Sequence, residues 1–206
     1  MRQFRALGYA LGVALLATPL HAADFSDPTW PCIQRKVETL SIGLMWTHPL
    51  PDEPAEEPET RRAIDRLSSK MALRRLDVES LRPEIEAFAE KHDGSPAILG
   101  RVFAEVFDTL STRRTKVVSG IEDFSLGQIE LSKRIEAAHT GMADLMAADT
   151  PDHDRIDTLE EQLDWDQMIY SDRQSTITYL CETPTLIEQR LYALSRILRD
   201  QIREAG

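Results

Sequence analysis

Two long stretches of the chain carry apolar residues at alternating spacings of three and four, which places them on one face of an α-helix. The first arm, residues 95–148, opens with Ser95-Pro96, a capping hydroxyl followed by a proline in the first helical turn. The second arm covers residues 151–204. The stripe of the first arm is Leu99, Phe103, Val106, Leu110, Val117, Ile121, Phe124, Leu131, Ile135, Ala138, Met142 and Leu145, and that of the second is Ile156, Leu159, Leu163, Tyr170, Ile177, Leu180, Ile187, Leu191, Leu194, Leu198 and Ile202.

The two stripes are equally long on either side of the turn signal at Asp149–Asp152. Folding the chain there pairs residues whose numbers add to 301, such as Phe124 with Ile177. The pattern therefore predicts an all-α protein built on a long, coiled-coil-like antiparallel helical hairpin. This register also sets Gly120 opposite Cys181, where a glycine would leave room for a disulfide. At Pro184 two alternatives remain: a kink in one long helix, or a break with Thr183 capping a new helix.

Shorter periodic segments precede the hairpin, and we expect them to pack against its open end. Residues 33–47 favour a helix, although Leu40, Ile42, Leu44 and Trp46 also alternate as in a strand. Residues 60–73 and 80–92 carry clearer helical stripes. Between them and the first segment, residues 49–60 are acidic and rich in proline, which is typical of a solvated connector.

Residues 1–22 have the layout of a secretory signal peptide. Arg2 and Arg5 precede an apolar run, residues 7–20, that ends beside the small residue Ala22. The run is shorter than the roughly 20 residues that cross a bilayer, so a retained anchor is the less favoured interpretation. We therefore predict an exported protein, periplasmic or secreted, whose mature residues 23–206 form one helical domain with no stable membrane insertion.

The chain has two cysteines, Cys32 and Cys181. An even pair in an exported protein usually forms a disulfide, because the compartment is oxidising. A redox or zinc site is disfavoured, since there is no C-x-x-C and no histidine at ligand spacing. The sequence therefore predicts a structural disulfide between them.

The chain is acidic overall, with a net charge of −11. Removing the signal segment, which has two arginines and no acid, changes the net charge from −11 to −13. Nucleic acids and anionic lipids are bound by Lys and Arg clusters, and the chain has none of the necessary size. Nucleic-acid binding is therefore excluded.

Catalytic motifs are absent from the sequence: there is no G-x-S-x-G, no glycine-rich phosphate loop and no H-E-x-x-H. We expect no enzyme activity, no catalytic residues and no cofactor. The best metal candidates are His139, Met142 and Met146, which share a helix face and have the soft ligands that copper(I) prefers. A methionine at helical spacing is more often core, so this metal site is the weaker interpretation.

The apolar residues Trp165, Met168 and Ile169 lie off the stripe near the turn of the hairpin. The N-terminal segments are too short to cover both ends of the hairpin, so we expect this cluster to be exposed and to form an interface for a partner or a second copy. Asp164, Asp166 and Asp172 are its expected charged rim, although the 301 register also places Asp166 on the seam beside Arg134. The alternative is that a segment such as residues 80–92 packs there and makes Trp165 ordinary core.

These patterns favour an exported, non-enzymatic binding or assembly factor that uses the hairpin as an interaction surface. The alternative is a periplasmic carrier of a small ligand or of copper.

Overall fold

The structure, a computed structural model, describes residues 27–50 and 57–203, and every regular element within these ranges is helical. The four α-helices are α1 (Pro58–Met71), α2 (Arg82–Lys91), α3 (Pro96–Met146) and α4 (His153–Arg199). Short 3-10 turns occur at Ile42–Leu44 and Glu79–Leu81. The predicted all-α class is confirmed.

Helices α3 and α4 form the predicted antiparallel hairpin, about 75 Å long at 1.5 Å per residue. Side-chain contacts across it join Arg134 to Asp166, Arg114 to Glu188, and Gln128 to the backbone of Tyr170. These pairs of residue numbers add to 300, 302 and 298, so the predicted register of 301 is confirmed to within one helical turn.

Each hairpin arm begins directly after a residue whose side chain caps the helix. The Ser95 hydroxyl accepts a hydrogen bond from the Ile98 amide at the start of α3, and the Asp152 carboxylate accepts one from the Arg155 amide at the start of α4. Pro184 lies inside α4, which continues through it without a break. The Thr183 hydroxyl donates to the Tyr179 carbonyl rather than capping a new helix. Of the two alternatives at Pro184, the broken arm is wrong.

The hydrophobic core lies at the open end of the hairpin, where α1, α2 and residues 40–50 pack against both arms. Phe103, Leu99 and Leu194 are fully buried there, and Trp46 stacks on Phe103 with ring centroids 5.3 Å apart. Gly94 closes the α2–α3 turn in a left-handed conformation (φ 63°), where a Cβ would lie 2.6 Å from the Gln201 carbonyl oxygen. The predicted packing of short helices against the open end is confirmed.

Residues 33–47 are not the predicted helix. They run as extended and irregular chain with one 3-10 turn at Ile42–Leu44. The reason is the distance to be covered: Lys36 pairs with Glu122, whereas Trp46 contacts Gly100, much nearer the start of α3. At the rise of an α-helix the separation of Glu122 and Gly100 is about 33 Å, and a helix from Lys36 to Trp46 would span only about 15 Å. An extended segment bridges it, with Arg114 donating to the Val37 carbonyl.

Three arginines of the hairpin anchor the N-terminal half by donating to backbone carbonyls. Arg190 donates to Met71 at 2.9 and 2.7 Å and to Leu76 at 2.7 Å. Arg113 donates to Ala72 at 2.9 Å, and Arg114 to Val37 at 2.7 Å. Because Met71 and Ala72 end α1, Arg190 and Arg113 satisfy carbonyls that a helix leaves without an internal partner.

Cys32 and Cys181 lie at disulfide-bonding distance, with their Cα atoms 5.4 Å apart. The bond ties the extended segment to the middle of α4. The predicted role of Gly120 is wrong, however, because a Cβ there would meet no atom of the described residues within 4 Å, and so neither cysteine. Gly120 is therefore not needed to make room for the disulfide.

We expect Gly120→Ala to raise the free energy of unfolding by about 0.5–1 kcal/mol, since glycine inside a helix costs that much relative to alanine. Urea unfolding followed by circular dichroism measures it. Gly100→Ala is the matched control. We expect it to lower the free energy of unfolding, because the added Cβ would lie 3.2 Å from both Leu50 and the Trp46 ring. An equal loss of stability in both variants would contradict this interpretation of Gly120.

Several predicted segments lie partly or wholly outside the described residues. The signal peptide, residues 1–22, is one, and residues 51–56 of the connector are another. The connector also ends earlier than predicted, since α1 begins at Pro58 with the proline in the first turn. Among the described helices, none has a stretch long and apolar enough to cross a lipid bilayer.

Candidate functional site: the distal hairpin

Near its tip the hairpin consists of the two arms alone, as far as the described residues extend. Following the extended segment away from the core, its last described hydrogen bond with α3 is the one that the Ser125 hydroxyl donates to the Pro28 carbonyl, and Pro31 lines a cavity with Ile129 and Ile177. Helices α1 and α2 pack nearer the open end, beside Arg113 and Arg190. We refer to residues 126–180 as the distal hairpin. Its two helices bury only the narrow seam between them, through residues such as Leu131, Ile156 and Leu163.

Trp165, Met168 and Ile169 lie on the outer face of α4 within the distal hairpin. Their exposed fractions are 58%, 49% and 38%. The alternative that residues 80–92 cover Trp165 is wrong, because α2 packs at the open end instead. We call these three residues the distal patch. Adjacent exposed apolar side chains of this size are uncommon on a protein surface without a binding role.

The rim of the distal patch differs from the prediction at one residue. Asp164 and Asp172 are exposed beside the patch. Asp166 is only 8% exposed, and its carboxylate accepts a hydrogen bond from Arg134 at 3.0 Å across the seam. Since Asp166 is three positions from Leu163 on the inner stripe, helical spacing turns it toward α3. Glu161 replaces it in the rim, one turn before Trp165.

The distal hairpin is strongly acidic. It contains twelve carboxylates and four Lys or Arg, a net charge of −8 out of −11 for the whole chain. The positive charges of Arg134 and Lys133 are paired with Asp166 and Glu130. The surface around the distal patch therefore attracts cations and repels a second acidic surface.

The metal candidates all lie on α3 near the tip of the hairpin. His139 is exposed, and its Nε2 lies 3.1 Å from the Gln167 amide nitrogen. Met142 is half-buried and Met146 is exposed one turn further on. Within residues 27–50 and 57–203, no group of three or more His, Cys, Asp or Glu side chains is arranged to hold a metal ion.

A cavity of about 340 Å³ opens at the start of the distal hairpin, where the extended segment meets both arms. Pro31, Phe124, Ile129 and Ile177 supply its apolar wall. Gln128 also lines it and donates to the Tyr170 carbonyl at 3.2 Å, while its own Oε1 is buried with no partner among the described residues. Ser132, Lys133 and Gln174 complete the lining, so the cavity offers a ligand both apolar and polar contact.

Tyr179 was not singled out from the sequence. It is 74% exposed on α4, and it lies two heptads beyond Trp165 on the same helix face. The two-heptad spacing from Trp165 is the sequence signal that could have identified Tyr179. The spacing alone does not predict that Tyr179 is exposed, because its exposure depends on where the extended segment and α1 run.

Comparison with known proteins gives no match: no protein-family model, curated protein or solved structure resembles this chain significantly.

Proposed function

We propose that this chain is an exported, non-enzymatic binding or assembly factor whose distal hairpin docks a basic protein partner. The observation that carries the proposal is the distal patch: Trp165, Met168 and Ile169 are exposed together on a helix face that no described segment covers. Export is supported by the arginine-led apolar N-terminus and by the cysteine pair at bonding distance.

The charge of the distal hairpin favours a partner protein over a second copy. Two distal hairpins brought together would each carry a net charge of −8, and like charges across an interface disfavour association. A partner with Lys and Arg around an apolar centre would instead complement both the patch and its rim of Glu161, Asp164 and Asp172. The protein by itself is therefore expected to be a monomer.

A photo-crosslinking residue, p-benzoylphenylalanine, placed at Met168 tests this proposal in cells that make the protein. We expect it to join the chain to a protein rich in Lys and Arg. The same residue placed at Tyr192 is the matched control, since Tyr192 and Met168 are equally exposed at 49% but Tyr192 lies at the other end of α4. Equal crosslinking at the two positions, or none at Met168, would refute the proposal, and crosslinking to a second copy would replace the partner.

Trp165→Ala separates an interface role from a structural one. Because Trp165 is more than half exposed, we expect helicity to be unchanged and the free energy of unfolding to fall by no more than about 0.5 kcal/mol. Crosslinking at Met168 should decrease several-fold, since a central aromatic residue contributes much of the affinity of an interface. A thermal stability loss typical of a core tryptophan, with crosslinking unchanged, would show that Trp165 serves the fold.

A further inference from the structure

The cavity at the start of the distal hairpin is bounded by three parts of the chain. Phe124 and Ile129 belong to α3, Ile177 belongs to α4, and Pro31 belongs to the extended segment. Its volume of about 340 Å³ is roughly twice the size of an apolar cavity that holds one benzene ring, which is about 150 Å³. The cavity is therefore large enough for a molecule of two fused rings.

The wall that Pro31 forms is held in place from both sides. On one side the Ser125 hydroxyl donates a hydrogen bond to the Pro28 carbonyl at 2.9 Å. On the other side Cys32, the next residue, lies at disulfide-bonding distance from Cys181 of α4. Because this wall is fixed in advance, a ligand does not have to order the extended segment when it binds, and the affinity is higher for that reason.

The charges around the cavity favour a neutral ligand. The described lining residues include no Asp or Glu, so a cationic ligand would find no carboxylate to pair with. Lys133 also lines the cavity, but its ammonium group is already paired with Glu130 at 2.8 Å. An anionic ligand would be repelled by the distal hairpin, whose net charge is −8.

Gln128 supplies an acceptor that a ligand can use. Its amide nitrogen donates to the Tyr170 carbonyl at 3.2 Å, while its Oε1 is buried and has no partner among the described residues. Nearly all buried polar atoms of proteins are hydrogen-bonded. An N–H or O–H group that a ligand carries into the cavity can pair with this oxygen after a small rotation of the Gln128 amide, an adjustment that side chains commonly make on binding.

We infer that this cavity binds a small, neutral aromatic molecule of one or two rings that carries an N–H or O–H donor. Phe124 and Tyr170 both line the cavity, and aromatic rings pack favourably against one another. The ligand donor pairs with the Gln128 Oε1, and the ring lies between Ile129 and Ile177. No residue of the distal patch lines the cavity, so this inference does not rest on the proposed function.

A titration with indole and indene tests the inference on the oxidised protein. Indene has the same two fused rings as indole, with a CH₂ group in place of the N–H. We expect indole to shift the methyl NMR resonances of Ile129 and Ile177 with a Kd below about 1 mM. Indene should bind about tenfold more weakly, because it leaves the Gln128 Oε1 unpaired. Absence of these shifts with indole, or equal affinities of the two compounds, would overturn the inference.

Gln128→Leu removes the acceptor and keeps a side chain of similar volume. We expect it to abolish the difference in affinity between indole and indene. Gln174→Leu is the matched control and should leave that difference unchanged, because Gln174 lines the cavity with an exposed amide that water already solvates. Indene should bind both variants as it binds the unmodified protein, which shows that the cavity still forms. A difference that survives Gln128→Leu would contradict the assignment of the donor to this oxygen.

Filling the cavity from an exposed position gives a test that leaves the seam intact. Ser132 lines the cavity and is exposed, so Ser132→Trp should lower the affinity for indole at least tenfold and shift the melting temperature by no more than about 2 °C. Ser119→Trp is the matched control, since Ser119 is exposed on α3 outside the cavity, and binding should not change. Equal affinities of these two variants for indole would overturn the location of the site.

N-acetyltryptophanamide distinguishes a small molecule from a side chain of another protein, because it carries the indole ring on a peptide backbone. We expect it to bind at least tenfold more weakly than indole, since a cavity of this volume has no space for the two amide groups beside the ring. An affinity equal to that of indole would assign the cavity to a tryptophan of a partner protein and overturn the inference.

Discussion

Replacing Arg190 with methionine should lower the free energy of unfolding by about 3–5 kcal/mol, the largest loss we expect from any single side chain outside the apolar core. The Arg190 guanidinium is buried at the end of α1 and donates to the carbonyls of Met71 and Leu76. Methionine fills much of the same space but donates nothing, so both carbonyls lose their partner. Each unsatisfied buried carbonyl costs about 1–3 kcal/mol.

Urea unfolding followed by circular dichroism measures the loss, and two controls interpret it. Arg196→Met removes the same charge at an exposed position in the last turn of α4, and should cost no more than about 1 kcal/mol. Arg190→Lys keeps the charge but cannot place several donors in one plane, so its loss should be intermediate. Equal effects of the Arg190 and Arg196 changes would mean that the carbonyl contacts contribute little.

The positive charge of Arg190 is not what makes its contact with the Met71 and Leu76 carbonyls stabilising. Burial lowers the pKa of Arg190, while the neighbouring Asp77 carboxylate raises it and Arg74 lowers it further. The group nevertheless stays protonated at neutral pH, because an arginine pKa starts far above that range. Arg190 therefore stabilises the fold by donating several hydrogen bonds from one rigid group. We expect its contribution to the free energy of unfolding to be constant across neutral pH.

The hairpin and its register could be predicted because both depend on local spacing. Apolar residues at three and four positions apart define one helix face, and two such faces of equal length admit few alignments. The Arg134–Asp166 and Arg114–Glu188 contacts follow that alignment. For the two arms, the spacing of the apolar residues was sufficient to predict both the helices and their alignment.

The extended segment could not be predicted, because its conformation is set by the hairpin rather than by its own residues. Residues 33–47 have helical spacing, but a helix there is too short to join the contacts made by Lys36 and Trp46. The arginine contacts were missed for a similar reason. Arg190 and Arg114 resemble surface residues in the sequence, and only the positions of Met71 and Val37 turn them inward.

The exposed apolar cluster of the candidate site was predicted, and its surroundings were not. Trp165, Met168 and Ile169 lie outside the apolar stripe of the second arm, and helical periodicity is enough to show this. The length of hairpin that is left uncovered depends instead on where α1 ends, and nothing in the sequence marks Met71 as the level at which α1 meets Arg113 and Arg190.

Removing the disulfide by changing both Cys32 and Cys181 to alanine should lower the free energy of unfolding by up to about 5 kcal/mol, because the bond closes a very long loop in the unfolded chain. The two residues are 149 apart in sequence. We expect the hairpin and the core at its open end to persist, since Trp46, Phe103 and Leu194 pack in one cluster without the cysteines.

Residues 27–36 should loosen once the bond is removed, because they are held otherwise by contacts such as those of Pro28 with Ser125 and Lys36 with Glu122. Hydrogen exchange measures that local loss and urea unfolding the global one. Chemically reduced wild-type protein is the matched control for the alanine substitutions, since it lacks the bond but keeps both side chains. Two free thiols in the non-reduced protein, or equal stability of the oxidised wild type and the double variant, would show that the bond does not stabilise this fold.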